Sequence, residues 1–196
     1  MTVVDGKIWA PFETFYIQAM LFNCQSALRS MVRVSSVFEK LPQDVTEEHL
    51  LNLPVHAILN ELQNVVIQGG ALSRYFWPVR KGHEDRGRQL RQALAVGDDS
   101  PLHNRDLRNA IEHFDEKLDV YLSSGLSGYI FPEFVAPRPR EDGVPGHFFR
   151  AYFIDCGVFR LLDGEYEIEP IALEIQRISA ALEEADENGS RLPPIA

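Results

Sequence analysis

Hydrophobic positions recur with a helical period over most of the chain. Residues 11–39 are rich in Phe, Met, Leu and Ala and have no internal Gly or Pro, which predicts a long, mostly buried helix. Pro42 ends it, because proline disfavours helix in the residue before it. Further helices are predicted from Thr46 to a break at Pro54 and over 84–95. Another helix is predicted over 55–68. It either stops at Gly69-Gly70 or resumes through Tyr75.

A further amphipathic helix is predicted between Ser100 and Gly125. Ser100 fits an N-cap followed by a proline in the first turn, and Gly125 fits the C-terminal stop. One apolar stripe runs along this predicted helix at helical spacing and indicates a face that packs on a core. Its members are Leu107, Ile111, Phe114, Leu118 and Tyr121.

The pattern changes in the last third of the chain. Residues 127–146 are rich in Pro, Gly and Arg, which predicts a long surface loop. Aromatic and β-branched residues over 148–154, 158–162 and 165–168 predict short strands, with a hairpin turn at Asp163-Gly164. A last helix is predicted over 171–185. The expected fold is therefore mainly α, a helical bundle with a small antiparallel β-meander at about 148–168 before the C-terminal helix. We expect a single domain over 1–187 and a flexible tail over 188–196.

Composition places the chain among globular proteins. It has 196 residues, 45% hydrophobic and 24% charged, enough to build a core without disulfides. Cys24 and Cys156 lack CxxC spacing, so we expect two reduced, buried thiols. With neither a signal-like segment nor an apolar stretch of membrane-spanning length, we expect a cytoplasmic protein without membrane contact.

Charge is distributed unevenly along the sequence. The net charge of −10 argues against generic nucleic-acid binding, because polyphosphate attraction needs a positive surface. Residues 74–108, however, contain eight basic and five acidic side chains, whereas 163–187 contain nine acidic side chains and one arginine. The segment leading into the amphipathic helix is therefore locally basic, although such blocks are commonly solvated faces.

The polar side of the amphipathic helix holds the main candidate chemistry. At 100° per residue, Asn109 and His113 lie together opposite the apolar stripe, and Arg108 lies at one edge, about 140° from His113. The apolar Val120 shares the side of Asn109 and His113. It hints at a second contact surface, which a two-fold dimer would supply while bringing two Arg/His sets together.

The sequence Arg108-Asn109-Ala-Ile-Glu-His113 resembles the R-[polar]-x-x-x-H motif of the HEPN superfamily. Residues 107–115 resemble the fuller motif helix of bacterial HEPN-like proteins. The resemblance implies a HEPN-like helical bundle that dimerises through the motif helix. It also implies, as the first function hypothesis, a metal-independent endoribonuclease of toxin or defence type with its site at the dimer interface, acting on RNA and paired with an antitoxin protein.

The resemblance implies catalytic roles for three residues and no cofactor or metal. His113 would act as general base or acid on the ribose 2′-hydroxyl, since histidine titrates near neutral pH. Arg108 would bind the scissile phosphate with its planar guanidinium. Asn109 would orient His113 or the phosphate by hydrogen bonding. The expected product carries a 2′,3′-cyclic phosphate.

A second function hypothesis stays open beside the first. Glu112, Asp115, Glu116 and Asp119 surround the motif, and carboxylates repel RNA phosphates. Arg108 and Glu112 also have the i, i+4 spacing of a surface ion pair. These residues favour a non-catalytic dimeric binding or scaffold protein of the same fold.

Two other clusters are candidate sites. His83, His103 and His147 could be combined with carboxylates into a metal site, but the chain contains no H-x-x-x-H or E-x-x-H ligand pair. Tyr75-Phe-Trp77 could be a base-stacking platform, and the end of a core helix is the favoured interpretation.

Overall fold

The computed structural model describes residues 3–4, 7–140 and 143–194, with the side chains of residues 3, 4, 7, 107 and 108 outside the description. The described chain is mainly helical and carries one four-stranded sheet, as expected for the coarse fold class. Its elements are β1 (Val3–Val4), β2 (Lys7–Ile8), α1 (Ala10–Phe38), α2 (Glu47–Leu51), α3 (Val55–Phe76), α4 (Glu84–Ala93), α5 (Asp106–Glu112), α6 (Phe114–Ser123), β3 (Tyr129–Ala136), β4 (Gly146–Phe153), β5 (Val158–Leu161), β6 (Gly164–Glu167) and α7 (Glu169–Glu187).

The chain divides into two compact units, with boundaries inside α1, α3 and α7. The first unit contains the described residues up to Arg29, then Ile67–Arg105, and those from Pro170 onward. The second contains Ser30–Val66 and the described residues of Asp106–Glu169, and it therefore holds the motif and the sheet. The single domain predicted over 1–187 stays a prediction.

In the first unit, α1 has the predicted position. Ile17, Met20 and Cys24 are fully buried at helical spacing, which explains why an uninterrupted run of large apolar residues forms a helix here. Burial raises the pKa of the Cys24 thiol to about 12, so this thiol stays protonated near neutral pH. Cys156 is also a free thiol but is exposed, so the prediction that both are buried was wrong for Cys156.

Helix α3 continues through Gly69-Gly70 to Phe76, so the predicted stop at these glycines was wrong and the predicted resumption was confirmed. Packing within the first unit explains why glycine is tolerated in the helix interior. A Cβ atom on Gly69 would lie 3.2 Å from Leu102 Cδ2 and 3.3 Å from Ile171 Cγ2. Glycine therefore allows two neighbouring segments to approach the helix closely, which local propensity does not reveal.

Three arginines satisfy carbonyl groups at the C-terminal end of α3. Arg86 donates to the carbonyl oxygen of Arg74 at 3.0 Å, and Arg91 donates to that of Phe76 at 3.2 Å. Arg105 donates to the carbonyl oxygen of Trp77, just past the helix end. The last carbonyls of a helix lack intrahelical donors and carry the negative end of its dipole, so these cations stabilise the terminus.

The segment predicted as one helix between Ser100 and Gly125 forms two. Ser100 Oγ donates to Glu174 at 2.9 Å, and its carbonyl accepts from the amide of His103 at 2.9 Å. Ser100 thus belongs to a turn, and α5 begins only at Asp106. A second deviation falls at His113, whose ψ of 36° interrupts the helix before α6. The predicted stop was confirmed, since Gly125 follows α6 with φ 79°.

The sheet lies in the second unit, in the order β3-β4-β5-β6. The predicted antiparallel meander was confirmed as β4, β5 and β6. Strand β3 falls inside the predicted loop 127–146, so that prediction was wrong, and β3 pairs parallel with β4. Pro132 argues against a central strand, but β3 is at the edge, where proline leaves no ladder hydrogen bond unmade on the open side.

Helix α7 is two residues longer at each end than predicted. Beyond it, Arg191 Nε and the amide of Leu192 donate to Glu13 Oε2 at 2.8 and 2.9 Å. These bonds connect the start of the C-terminal segment to α1 within the first unit. The predicted flexibility of residues 188–196 stays a prediction.

Candidate functional site

All three motif residues lie in the second unit, in the segment where two helices replace the predicted one. Arg108 and Asn109 lie in α5, and His113 lies between α5 and α6. The side chain of Arg108 lies outside the described residues, whereas Asn109 is half-buried. The structure therefore locates the side chains of Asn109 and His113 and leaves the position of the arginine head group as a prediction.

His113 is exposed at the break between the helices. Its amide donates to the carbonyl of Asn109 at 3.0 Å, and its own carbonyl accepts from the amide of Lys117 at 3.1 Å, so helical hydrogen bonding crosses the break. The side chain is 58% exposed, and Nδ1 lies 3.7 Å from Glu116 Oε2. This imidazole is accessible to a ligand, and a carboxylate lies beside it.

The surface around His113 is acidic and partly apolar. Glu112, Asp115, Glu116 and Asp119 are all exposed. On α6, Val120 is 72% exposed and Leu122 is also exposed. The contact surface expected at Val120 stays a prediction, and the carboxylates disfavour a phosphate backbone at the same place.

Strand β4 supports α6 through two side chains. The Arg150 guanidinium lies 4.2 Å from the ring centroid of Phe114, the residue that follows His113 in the chain. His147 Nε2 lies 3.1 Å from the carbonyl oxygen of Ser127, so Nε2 carries a proton. In the neutral ring, Nδ1 then accepts from Tyr121 Oη at 2.7 Å, which holds α6 against the sheet.

Arg150 is a cation near the motif that sequence reasoning missed. It lies in a segment correctly predicted as a strand, but strand pattern alone does not indicate which helix the strand packs against. Phe114 belongs to the predicted apolar stripe, and Arg150 covers its ring face. A cation–π contact of this kind positions a positive charge beside the acidic surface of α6.

Four of the eight basic side chains in segment 74–108 make contacts within the first unit. Arg86, Arg91 and Arg105 donate to the carbonyls at the end of α3, and Arg88 pairs with Asp85. These positive charges are engaged within the first unit. These four arginines therefore add little to the case for RNA binding.

The aromatic cluster Tyr75-Phe-Trp77 lies at the end of a core helix. Phe76 and Trp77 are buried, and the Trp77 ring stacks on His103 with 4.4 Å between centroids, so the favoured interpretation of a core helix end was confirmed. His103 Nδ1 lies 3.0 Å from the carbonyl oxygen of Asp98. Among the described residues, no three His, Cys, Asp or Glu side chains are grouped so that they could hold a metal ion.

Comparison with known proteins returned no match to a protein-family model, a curated protein or a solved structure. In the described ranges, no helix is both long enough and apolar enough to cross a membrane.

Proposed function

We propose that α5 and α6 form the catalytic element of a HEPN-like, metal-independent endoribonuclease of toxin or defence type, which acts as a cytoplasmic homodimer. The exposure of His113 carries the proposal. A histidine buried in a core ion pair could not reach a ribose, whereas this imidazole is open to solvent one helical turn after Asn109. The motif resemblance supplies the reaction, and an antitoxin protein would be the natural inhibitor.

The chemistry needs one base, one acid and one cation. The imidazole of His113 removes the proton from a ribose 2′-hydroxyl, and the 2′-oxygen forms a bond to the adjacent phosphorus. The bond from phosphorus to the 5′-oxygen breaks, and that oxygen takes up the proton from the His113 imidazolium formed in the first step. The products are a 2′,3′-cyclic phosphate and a 5′-hydroxyl. Arg108 neutralises the charge that develops on the phosphate, and Asn109 orients the groups.

A second copy of the chain would place an arginine close to His113. On a helical wheel, Arg108 and His113 lie about 140° apart, too far for a compact site on one helix. A two-fold contact through the exposed Val120 would bring two histidines and two arginines together.

Cleavage of single-stranded RNA in EDTA tests the enzyme. The wild type should release fragments with 2′,3′-cyclic phosphate ends. His113→Ala and Arg108→Ala should each lower the rate by about 100-fold or more, because each removes a group that acts in the transition state. His56→Ala removes another exposed histidine of the second unit, one that pairs with Glu133, and should leave the rate unchanged. Equal background cleavage by all four proteins would refute the enzyme.

The exposed carboxylates favour a second candidate, a non-catalytic dimeric binding or scaffold protein. Glu112, Asp115, Glu116 and Asp119 form an acidic surface that would suit a basic protein segment better than RNA. A wild type that dimerises without cleaving RNA in the same assay would support this candidate.

A further inference from the structure

A cleft of about 590 Å³ opens beside the sheet in the second unit. This volume lies within the range of small-molecule sites. Its lining is dominated by rings and guanidinium groups from β3, β4, β5 and the segment after β3. These are Tyr129, Phe131, Arg138, Phe148, Phe153 and Arg160. We call it the aromatic–arginine cleft.

The cleft has a rigid aromatic floor. Phe148 and Phe153 are almost completely buried, and Phe131 stacks on Phe148 with 4.8 Å between centroids and 11° between planes. Phe131 itself is only half-buried, and Tyr129 at the rim is exposed. Flat apolar surfaces therefore remain accessible at the mouth of the cleft for a planar ligand.

Two guanidinium groups lie on this floor. Arg138 lies 4.4 Å from the ring centroid of Phe153, and Arg160 lies 5.3 Å from that of Phe148. A guanidinium on an aromatic face still offers its other face, on which a further planar group can stack. The arginines thus extend the aromatic surface and add positive charge to it.

Glu165 on β6 fixes the orientation of both guanidinium groups. Arg138 forms a bidentate pair with its carboxylate at 2.7 and 2.8 Å, and Arg160 Nη1 lies 3.5 Å from it. The hydrogen bond from Arg138 keeps the pKa of Glu165 below its ordinary value, so the carboxylate stays charged. Arg160 Nε also donates to the carbonyl of Leu162 at 2.7 Å, so its plane is held from two sides.

The lining carries an excess of positive charge. Arg138, Arg140 and Arg160 line the cleft, and none of its described lining residues is acidic. Glu165, which is not a lining residue, pairs with Arg138 and offsets one of these positive charges. Within the described ranges Arg140 is exposed and makes no ion pair, and its neighbours Glu141 and Asp142 lie outside the description.

We propose that the aromatic–arginine cleft binds a nucleotide, either free or as a unit of single-stranded RNA. The base would stack on Arg138 and the accessible rings, and the phosphate would contact Arg160 and Arg140. An aliphatic carboxylate would use the arginines alone, and a neutral apolar ligand would use the rings alone. A planar base that bears a phosphate uses both. This binding does not depend on cleavage by His113.

Binding is tested by titrating the full chain with AMP, GMP, CMP and UMP, with ribose 5-phosphate and inorganic phosphate, and with a labelled eight-nucleotide single-stranded RNA. We expect saturable binding of a nucleotide or of the RNA that is at least about tenfold tighter than that of ribose 5-phosphate, because only base-containing ligands stack. Binding of free nucleotides identifies a small-molecule site, and binding of RNA alone identifies a strand-binding site.

Variants assign the binding to this cleft. Arg160→Gln should weaken it about tenfold or more, because a charged hydrogen bond to phosphate is lost. Tyr129→Ala and Arg140→Gln change exposed side chains, so each should weaken binding without unfolding the chain. Arg88→Ala changes an exposed arginine of the first unit and is the matched control. Thermal melting of each variant shows that it is folded.

Two results would overturn the proposal, namely no binding of any nucleotide or RNA at millimolar concentration, and binding that Tyr129→Ala and Arg140→Gln leave unchanged. His113→Ala separates the two proposals, because it should abolish cleavage and retain binding in the cleft. Binding without cleavage by the wild type would support the cleft and refute the enzyme.

Discussion

The carboxylate of Glu174 carries a network that connects α7 to the 94–100 segment in the first unit. It accepts from Arg177 at 2.8 and 3.0 Å and from Ser100 at 2.9 Å. Arg177 also donates to the carbonyl of Leu94 at 2.9 Å. The hydrogen bond from Arg177 outweighs the effect of burial, so the pKa of Glu174 lies below its ordinary value of 4.5.

This shift predicts how the contribution of Glu174 depends on pH. A lowered folded-state pKa stabilises the fold above pH 4.5, and that stabilisation is lost as pH falls through the folded value. Glu174→Gln should therefore lower the free energy of unfolding by about 1 kcal/mol at pH 7. Urea unfolding of both proteins from pH 7 to pH 3 should show this difference shrinking below about pH 4.5. A difference that grows in acid would contradict the assignment.

Gly69 provides a test of packing within the first unit. Its missing side chain leaves room for Leu102 and Ile171, so Gly69→Val should lower the free energy of unfolding by about 2 kcal/mol through overpacking. Asn60→Val places the same side chain at an exposed position of α3 and controls for helix propensity. Similar unfolding midpoints for the two variants would show that the close approach does not matter.

The end of α3 gives a prediction at the scale of an element. Arg105→Ala and Arg91→Ala each leave a helix-end carbonyl without its charged donor, so each should lower the free energy of unfolding by about 1 kcal/mol or more. Arg88→Ala removes only a surface pair with Asp85 and should change it by less than about 0.5 kcal/mol. Denaturant unfolding of the wild type and the three variants measures these changes in the free energy of unfolding. If Arg91→Ala and Arg105→Ala lower the free energy of unfolding no more than Arg88→Ala does, the guanidinium contacts at the end of α3 do not stabilise the fold.

Elements with strong local patterns were predictable from the sequence. The apolar run of α1 and the aromatic and β-branched segments that form β4 to β6 follow from local sequence and turn residues alone. Elements whose structure depends on packing against distant segments were not predictable from the sequence. Strand β3 contains Pro132 and needs its partner β4, and the continuation of α3 through Gly69 depends on segments distant in sequence.

The candidate site was predictable only in part, because local periodicity indicates the faces of a helix but not its tertiary contacts. Periodicity placed Asn109 and His113 on a non-core side, and His113 is indeed exposed. The break at His113 and the approach of Arg150 to Phe114 arise from tertiary packing, which no local pattern contains. The aromatic–arginine cleft was not predictable because its residues come from four segments, two of which were predicted to form one loop.

For the whole molecule, the proposal requires a dimer through α6. Light scattering after size exclusion should give the mass of two chains at micromolar concentration. Val120→Asp places a charge on the proposed contact and should shift the protein to monomers. Val79→Asp changes a similarly exposed valine of the first unit and should leave the mass unchanged. A monomeric wild type would remove the basis of a shared site.

The most direct measurement of the central claim mixes two inactive copies. If each site combines Arg108 of one copy with His113 of the other, equal amounts of Arg108→Ala and His113→Ala chains, after subunit exchange, form heterodimers with one intact site. RNA cleavage in EDTA should then recover to about a quarter of the wild-type rate, since about half of the dimers are mixed and each holds one of two sites. Background cleavage by the mixture, beside an active wild type, would contradict a site shared between two copies.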